Sequence, residues 1–95
     1  MPYEYTVPAQ YEEEEINEVI DESLASRLEF ARRRLAAYQE SCTAFEQQYG
    51  MSTQEFFDKF ESGALGDQQE WFDWYAAAEG RKIWNRKYDI LAHLV

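Results

Sequence analysis

Residues Leu24, Leu28, Ala31, Leu35, Tyr38, Cys42, Phe45 and Tyr49 follow one another at alternating steps of 4 and 3. A repeat of 3.5 residues keeps one narrow stripe of an α-helix against a partner and favours gentle left-handed supercoiling with it. The seam predicts a long helix over residues 23–49 that a second helix must cover. With Leu24 at heptad position d, Arg27 and Arg34 fall at g, and Arg32 and Glu46 at e. Arg32-Arg33-Arg34 therefore spreads around the helix and makes no flat basic patch. The arginine stems can cover the seam while their heads stay in water. The other role open to them is docking the chain's own acidic arm or an acidic partner.

The residues beyond Tyr49 look like the means of folding a second helix back onto that seam. Gly50 can end the first helix in a left-handed conformation at little cost. Ser52-Thr53-Gln54-Glu55 reads as a capping box, and Met51 and Phe56 take the two positions of a hydrophobic staple around it. Phe56 and Phe60 then share a face of a short helix ending near Glu61 or Ser62, closed by Gly63. After the turn Ala64-Leu65-Gly66, Asp67 is expected to cap the next helix, with Glu70 at N3. Asp67, Glu70 and Asp73 early, and Arg81, Lys82, Arg86 and Lys87 late, match the helix macrodipole. This helix should reach about Leu94 and pack along the line Phe72, Ala76, Ile83, Ile90 and Leu94, widened by Trp84, Tyr88, Leu91 and Val95. Gly80 costs a helix about 1 kcal/mol against alanine, so close helix approach or a kink is expected there.

The expected fold class is all-α: a long antiparallel helical hairpin with a short helix in the connection. A lone hairpin leaves apolar side chains uncovered, among them Phe30, Trp71 and Trp74. The expected assembly is therefore a homodimer completing a four-helix bundle, with Leu24, Leu28, Leu35, Tyr38 and Phe45 as its core or dimer seam.

Charge divides the chain. The first 22 residues carry eight of the 19 acids and no lysine or arginine, whereas residues 23–95 come to a net −2. The organisation expected is an acidic N-terminal arm, 1–22, on a nearly neutral helical domain, 23–95. Within the arm, Tyr3, Tyr5 and Val7 alternate between Pro2 and Pro8, which fits a short extended segment. Tyr11, Ile16, Val19 and Ile20 form a weak helical stripe among acids. A helix from about residues 9–12 either stops near Asp21 to Ser23 or runs on into the main one. The plainest account of the glutamate run is a solvated extension. Such an arm repels a phosphate backbone, which argues against nucleic acid as a direct partner.

Little supports catalysis. The single Cys42 allows no intrachain disulfide and fits a reducing compartment. The only histidine, His93, lies two residues from the last, so Ser-His-Asp and Cys-His arrangements lack a positioned base. No Glu-x-x-His pair offers metal ligands, and no glycine-rich phosphate loop exists. No apolar run approaches the ~20 residues needed to cross a bilayer, so a cytoplasmic protein without cofactor or metal is expected. The most informative stretch is Glu70-Trp71-Phe72-Asp73-Trp74-Tyr75, where acids interleave with large aromatics as in binding hot spots. Phe72 and Tyr75 are expected in the elbow core, whereas Trp74 lies off that stripe.

The order Tyr49-Gly50-Met51-Ser52, Glu55-Phe56, Phe60, Gly63, Leu65-Gly66-Asp67 and then acidic aromatics resembles a group of small bacterial helical proteins, often identified as the antitoxin half of toxin–antitoxin pairs. The similarity covers about residues 28–95 and leaves the arm outside. It rests on caps and turns, so it implies a shared fold more firmly than a shared task, and it transfers no catalytic residue. The expectation is a non-enzymatic, antitoxin-like interaction protein that binds a basic partner, such as a ribonuclease-type toxin. Glu12, Glu13, Glu14, Glu15, Trp71, Asp73 and Trp74 would make the contact. The alternative is a structural homodimerisation or adaptor module with a solubilising acidic tail.

Overall fold

The structure, a computed structural model, describes residues 9–95; the expected extended segment Tyr3 to Val7 lies outside them. It contains three helices: α1 (Glu13–Tyr49), α2 (Thr53–Glu61) and α3 (Gln69–Leu94). The fold is all-helical. α1 and α3 form the long antiparallel hairpin, and α2 occupies the connection.

α1 runs through Ser23 without interruption. Its 37 residues span about 55 Å at 1.5 Å each, most of the molecule's 61 Å long axis. Glu12, its N-cap, makes no side-chain hydrogen bond, but Glu13, Glu14 and Glu15 occupy the positive end of the helix. At the other end Gly50 adopts φ 66°, and its amide donates to the Glu46 carbonyl at 2.9 Å. That left-handed stop satisfies one of the last free carbonyls.

Every residue of the predicted seam, Leu24 through Tyr49, is buried or half-buried. The covering face of α3 overlaps the predicted one only at its margin, where Trp84, Tyr88 and Leu91 pack, and its predicted central line does not pack. Trp71, Trp74, Ala77, Ala78, Arg81, Trp84, Tyr88 and Leu91 turn towards α1 and are buried or half-buried, while Phe72, Ala76, Ile83, Ile90 and Leu94 stay exposed. At 100° per residue these two lines lie about 150° apart around the helix. Two long-range fits select the first line. Tyr38 packs against Gly80, which only a residue without a side chain permits. At the elbow, Trp74 stacks between Phe45, at 5.4 Å, and Phe56, at 4.1 Å, between ring centroids.

α2 closes the elbow. Ser52 Oγ accepts from the Glu55 amide at 3.0 Å, as the capping box predicts. The Glu55 carboxylate does not reach back to the Ser52 amide but accepts from the Ser52 hydroxyl at 3.4 Å. A second cap comes from outside the helix: the Thr53 amide donates to Glu46 Oε2 at 2.8 Å, tying α2 to the last turn of α1. Phe56 is fully buried, and Phe60 meets Phe72 edge-on at 5.4 Å. Burying a side chain of this size stabilises by about 2–3 kcal/mol. Asp67 does not cap α3. The helix begins one residue later, behind Gln68, which makes no side-chain cap bond. A one-residue slip at a helix start is small enough for tertiary packing to set.

Candidate interaction surfaces

The geometry follows from unequal helix lengths. Counting equally from the Tyr38–Gly80 contact places Leu94 level with Leu24. Residues 13–23 of α1 therefore project beyond α3 by about 16 Å. Continued backwards, the seam would use Asp21 and Asn17, two polar residues, so the sequence itself ends the packed stripe there.

The projecting turns are amphipathic in a different direction. Ile16, Ile20, Ser23, Arg27 and Phe30 repeat at steps of 4 and 3, about a quarter-turn from the seam. Tyr11, Ile16, Val19, Ile20 and Leu24 line a groove of about 660 Å³ along this side. Val19 is 62% exposed and Ile20 41%. Glu14, Glu18, Asp21 and Glu22 fill the opposite half of the helix and Glu15 edges the groove, all exposed. The free end of α1 thus offers an apolar strip with a carboxylate wall behind it.

The strip ends in a cationic cluster. Phe30 meets Trp84 edge-on at 5.5 Å. Arg27 lies over both rings, with Cζ 4.6 Å from Phe30 and 5.5 Å from Trp84. Arg34 reaches Trp84 at 5.6 Å, and Lys87 at 4.7 Å. Three bases from two helices therefore converge on one indole, an arrangement its electron-rich ring favours. Arg32 instead pairs with Glu29 one turn back on the solvent side. That hydrogen bond, the larger cause, holds the Glu29 carboxyl below the usual range.

The sequence-predicted contact residues separate. Glu12, Glu13, Glu14 and Glu15 are exposed at the start of α1, and Asp73 is exposed at the elbow, where it accepts from Gln69 Nε2 at 3.0 Å. These two sets lie at opposite ends of the molecule. Trp74 has no exposed surface and Trp71 is half-buried against Tyr49 at 4.7 Å. The indole of Trp74 is thus core rather than contact surface. It sits off the Phe72 line, yet it belongs to the line that packs. Of the elbow run, Glu70, Phe72 and Asp73 face solvent. Val19 and Ile20 belong to the helical stripe that periodicity marks in the arm, but neither they nor Trp84 are among the sequence-predicted contact residues. The interruption of the seam at Asp21 and Asn17 was the available signal.

Cys42 is fully buried on the seam, and burial, the first cause, pushes its thiol above the ordinary range. His93 is exposed at the open end of the hairpin, its Nδ1 2.7 Å from the Asp89 carbonyl. Thiol and imidazole therefore form no pair. Among the described residues no group of three or more His, Cys, Asp or Glu side chains is placed to hold a metal, and no helix is long and apolar enough to cross a membrane. No protein-family model, curated protein or solved structure matches the chain.

Proposed function

We propose that the chain is a non-enzymatic, cytoplasmic interaction module that takes a cationic, partly apolar protein segment onto the free end of α1. The observation that carries this is the overhang: Val19 and Ile20 stay exposed, with Ile16 half-buried beside them, on a helix whose other side is lined with carboxylates. Among the described residues neither α2 nor α3 covers this end of α1, and an uncovered helix end normally carries polar residues where this one carries apolar ones. Apolar anchors at i, i+3 and i+4 suit a partner groove or helix, and the acids accelerate encounter with a basic surface and set its orientation. The antitoxin-like turns and caps supply a partner class, a basic ribonuclease-type toxin. Carboxylates would fill the cationic groove of such a toxin where phosphates go.

The test is capture from the native cell followed by titration of the captured protein. Neutralising Glu13, Glu14 and Glu15 to Gln should slow association and flatten its salt dependence. Ile16→Ser with Ile20→Ser should speed dissociation. A captured basic partner that binds both variants as it binds the parent chain ends this reading.

The apolar line left outside on α3 favours a second reading, a homodimerisation or adaptor module with a solubilising tail. That reading predicts rapid proteolysis of residues 1–20 in every context, with no partner that protects them.

A further inference from the structure

α3 carries two apolar faces, and α1 covers one. The other runs Phe72, Ala76, Glu79, Ile83, Lys87, Ile90, Leu94, at steps of 4, 3, 4, 4, 3 and 4. These positions occupy a strip about 80° wide on the side away from α1. Its large members remain open: Phe72 is 48% exposed, Ile83 50%, Ile90 46% and Leu94 60%. A helix apolar on opposite sides is the pattern of one buried on opposite sides.

The steps read the same in both directions from Ile83. An antiparallel pair related by a two-fold axis requires this, because each position must meet its mirror position in the other copy. We propose that the outer face of α3 is a homodimer interface, with a second copy crossing antiparallel and Ile83 on the axis. Phe72 then meets the partner's Leu94, Ala76 meets the partner's Ile90, and Ile83 meets the partner's Ile83. Each small or branched residue faces a larger or equal one, which lets the two helices approach evenly. The two charged members obey the same symmetry: Glu79 meets the partner's Lys87, and Lys87 the partner's Glu79. A parallel pairing would set Glu79 on Glu79 and Lys87 on Lys87, so charge selects the antiparallel one. Both charged groups can re-pair at small cost. Glu79 holds the exposed Lys82 at 3.4 Å, and Lys87 rests over Trp84. The interface does not depend on what the free end of α1 captures, and it leaves those ends projecting at opposite extremes of the dimer.

The test is the mass of the full chain in solution by light scattering and sedimentation, with helicity followed by circular dichroism. A dimer is expected at about 50 µM chain, a concentration at which a Kd of about 1 µM keeps most chains paired. Ile83→Glu places two carboxylates on the axis and should weaken the dimer at least ~100-fold with helicity unchanged. Glu79→Lys and Lys87→Glu should each weaken it about 10-fold, by creating two like-charge contacts. The combined variant E79K/K87E should recover parental affinity, which only this register and direction allow. A monomeric parent chain overturns the proposal. So does a dimer indifferent to Ile83→Glu, which would mean that the chain self-associates through another face, or a combined variant no tighter than the single ones.

Discussion

The ring of Tyr38 occupies the space that a side chain on Gly80 would need: a Cβ built there lies 2.5 Å from Tyr38 Cε1 and 2.6 Å from Cζ. Helix propensity alone says that Gly80→Ala stabilises by about 1 kcal/mol. Sterics oppose it, because the ring must leave the α1–α3 seam and the Arg34 guanidinium, which donates to its hydroxyl at 3.1 Å, must move with it. Overpacking of this kind costs about 1–3 kcal/mol. Gly80→Ala is therefore expected to lower the urea midpoint. In a Tyr38→Ala background the same substitution should raise it, since the obstacle is gone. A gain in stability from Gly80→Ala with Tyr38 intact would show that the two helices do not meet at this point.

The two tryptophans at the elbow should respond unequally to the loss of their N–H. Trp74 Nε1 donates to Thr53 Oγ1 at 3.1 Å inside the core. Trp71 Nε1 is buried with no partner among the described residues. Trp74→Phe removes a made bond and strands the threonine hydroxyl, for about 1–3 kcal/mol together with the lost volume. Trp71→Phe loses apolar area but also removes an unpaired donor, so its net cost should stay under about 1 kcal/mol. Chemical denaturation of the two variants, ranked side by side, decides the matter. Equal costs would mean that the Thr53 bond contributes nothing.

Stability should fall in alkali. Burial, the leading cause for both, raises Cys42 and Tyr75 above their ordinary values, and Glu61 beside Tyr75 adds to it. A raised folded value means that the native state holds its proton more tightly than the unfolded chain does. The contribution of Cys42 is thus complete below the ordinary thiol value of about 8.5 and is lost as pH rises through its folded value. Tyr75 acts at higher pH, with a smaller effect because it is solvent-screened. Cys42→Ala should flatten the first part of this decline, and the thiol of the parent chain should resist alkylation at pH 8 until the protein unfolds. Rapid labelling under native conditions would place Cys42 outside the seam.

α1 and α2 were legible in the sequence because their signals are local and single. α1 has one heptad line and a glycine stop, and α2 has a serine cap three residues before its glutamate. The span of α3 was legible as well, but the face by which it packs was not, because it carries two apolar lines. The line of Phe72, Ile83 and Ile90 is the more hydrophobic of the two. The line that packs contains Ala77, Ala78, Gly80 and Arg81, which rank low by hydropathy. What decides between them is a pair of contacts distant in sequence, Tyr38 on Gly80 and Trp74 on Phe45. The expected close approach at Gly80 was the one local hint of the packing face. The acidic start of α1 was visible as charge. Its exposure beyond α3 was not, because it depends on where α3 ends.

The overhang makes a prediction independent of any native partner. Residues 13–22 have neither α3 nor α2 against them, so their amides should exchange within seconds while those around Cys42 stay protected. A basic amphipathic peptide of Lys and Leu at helical spacing can place its apolar side on Ile16 and Ile20, and its amines can reach the carboxylates behind. Oligolysine of equal charge can use the carboxylates alone. The amphipathic peptide should bind more tightly, slow exchange over 13–22, and keep part of its affinity at high salt, where surface charge is screened within about 3–8 Å. Ile16→Ser with Ile20→Ser should reduce it to the level of oligolysine. If the two peptides bind alike and lose affinity together as salt rises, the apolar strip plays no part in recognition and the free end of α1 acts by charge alone.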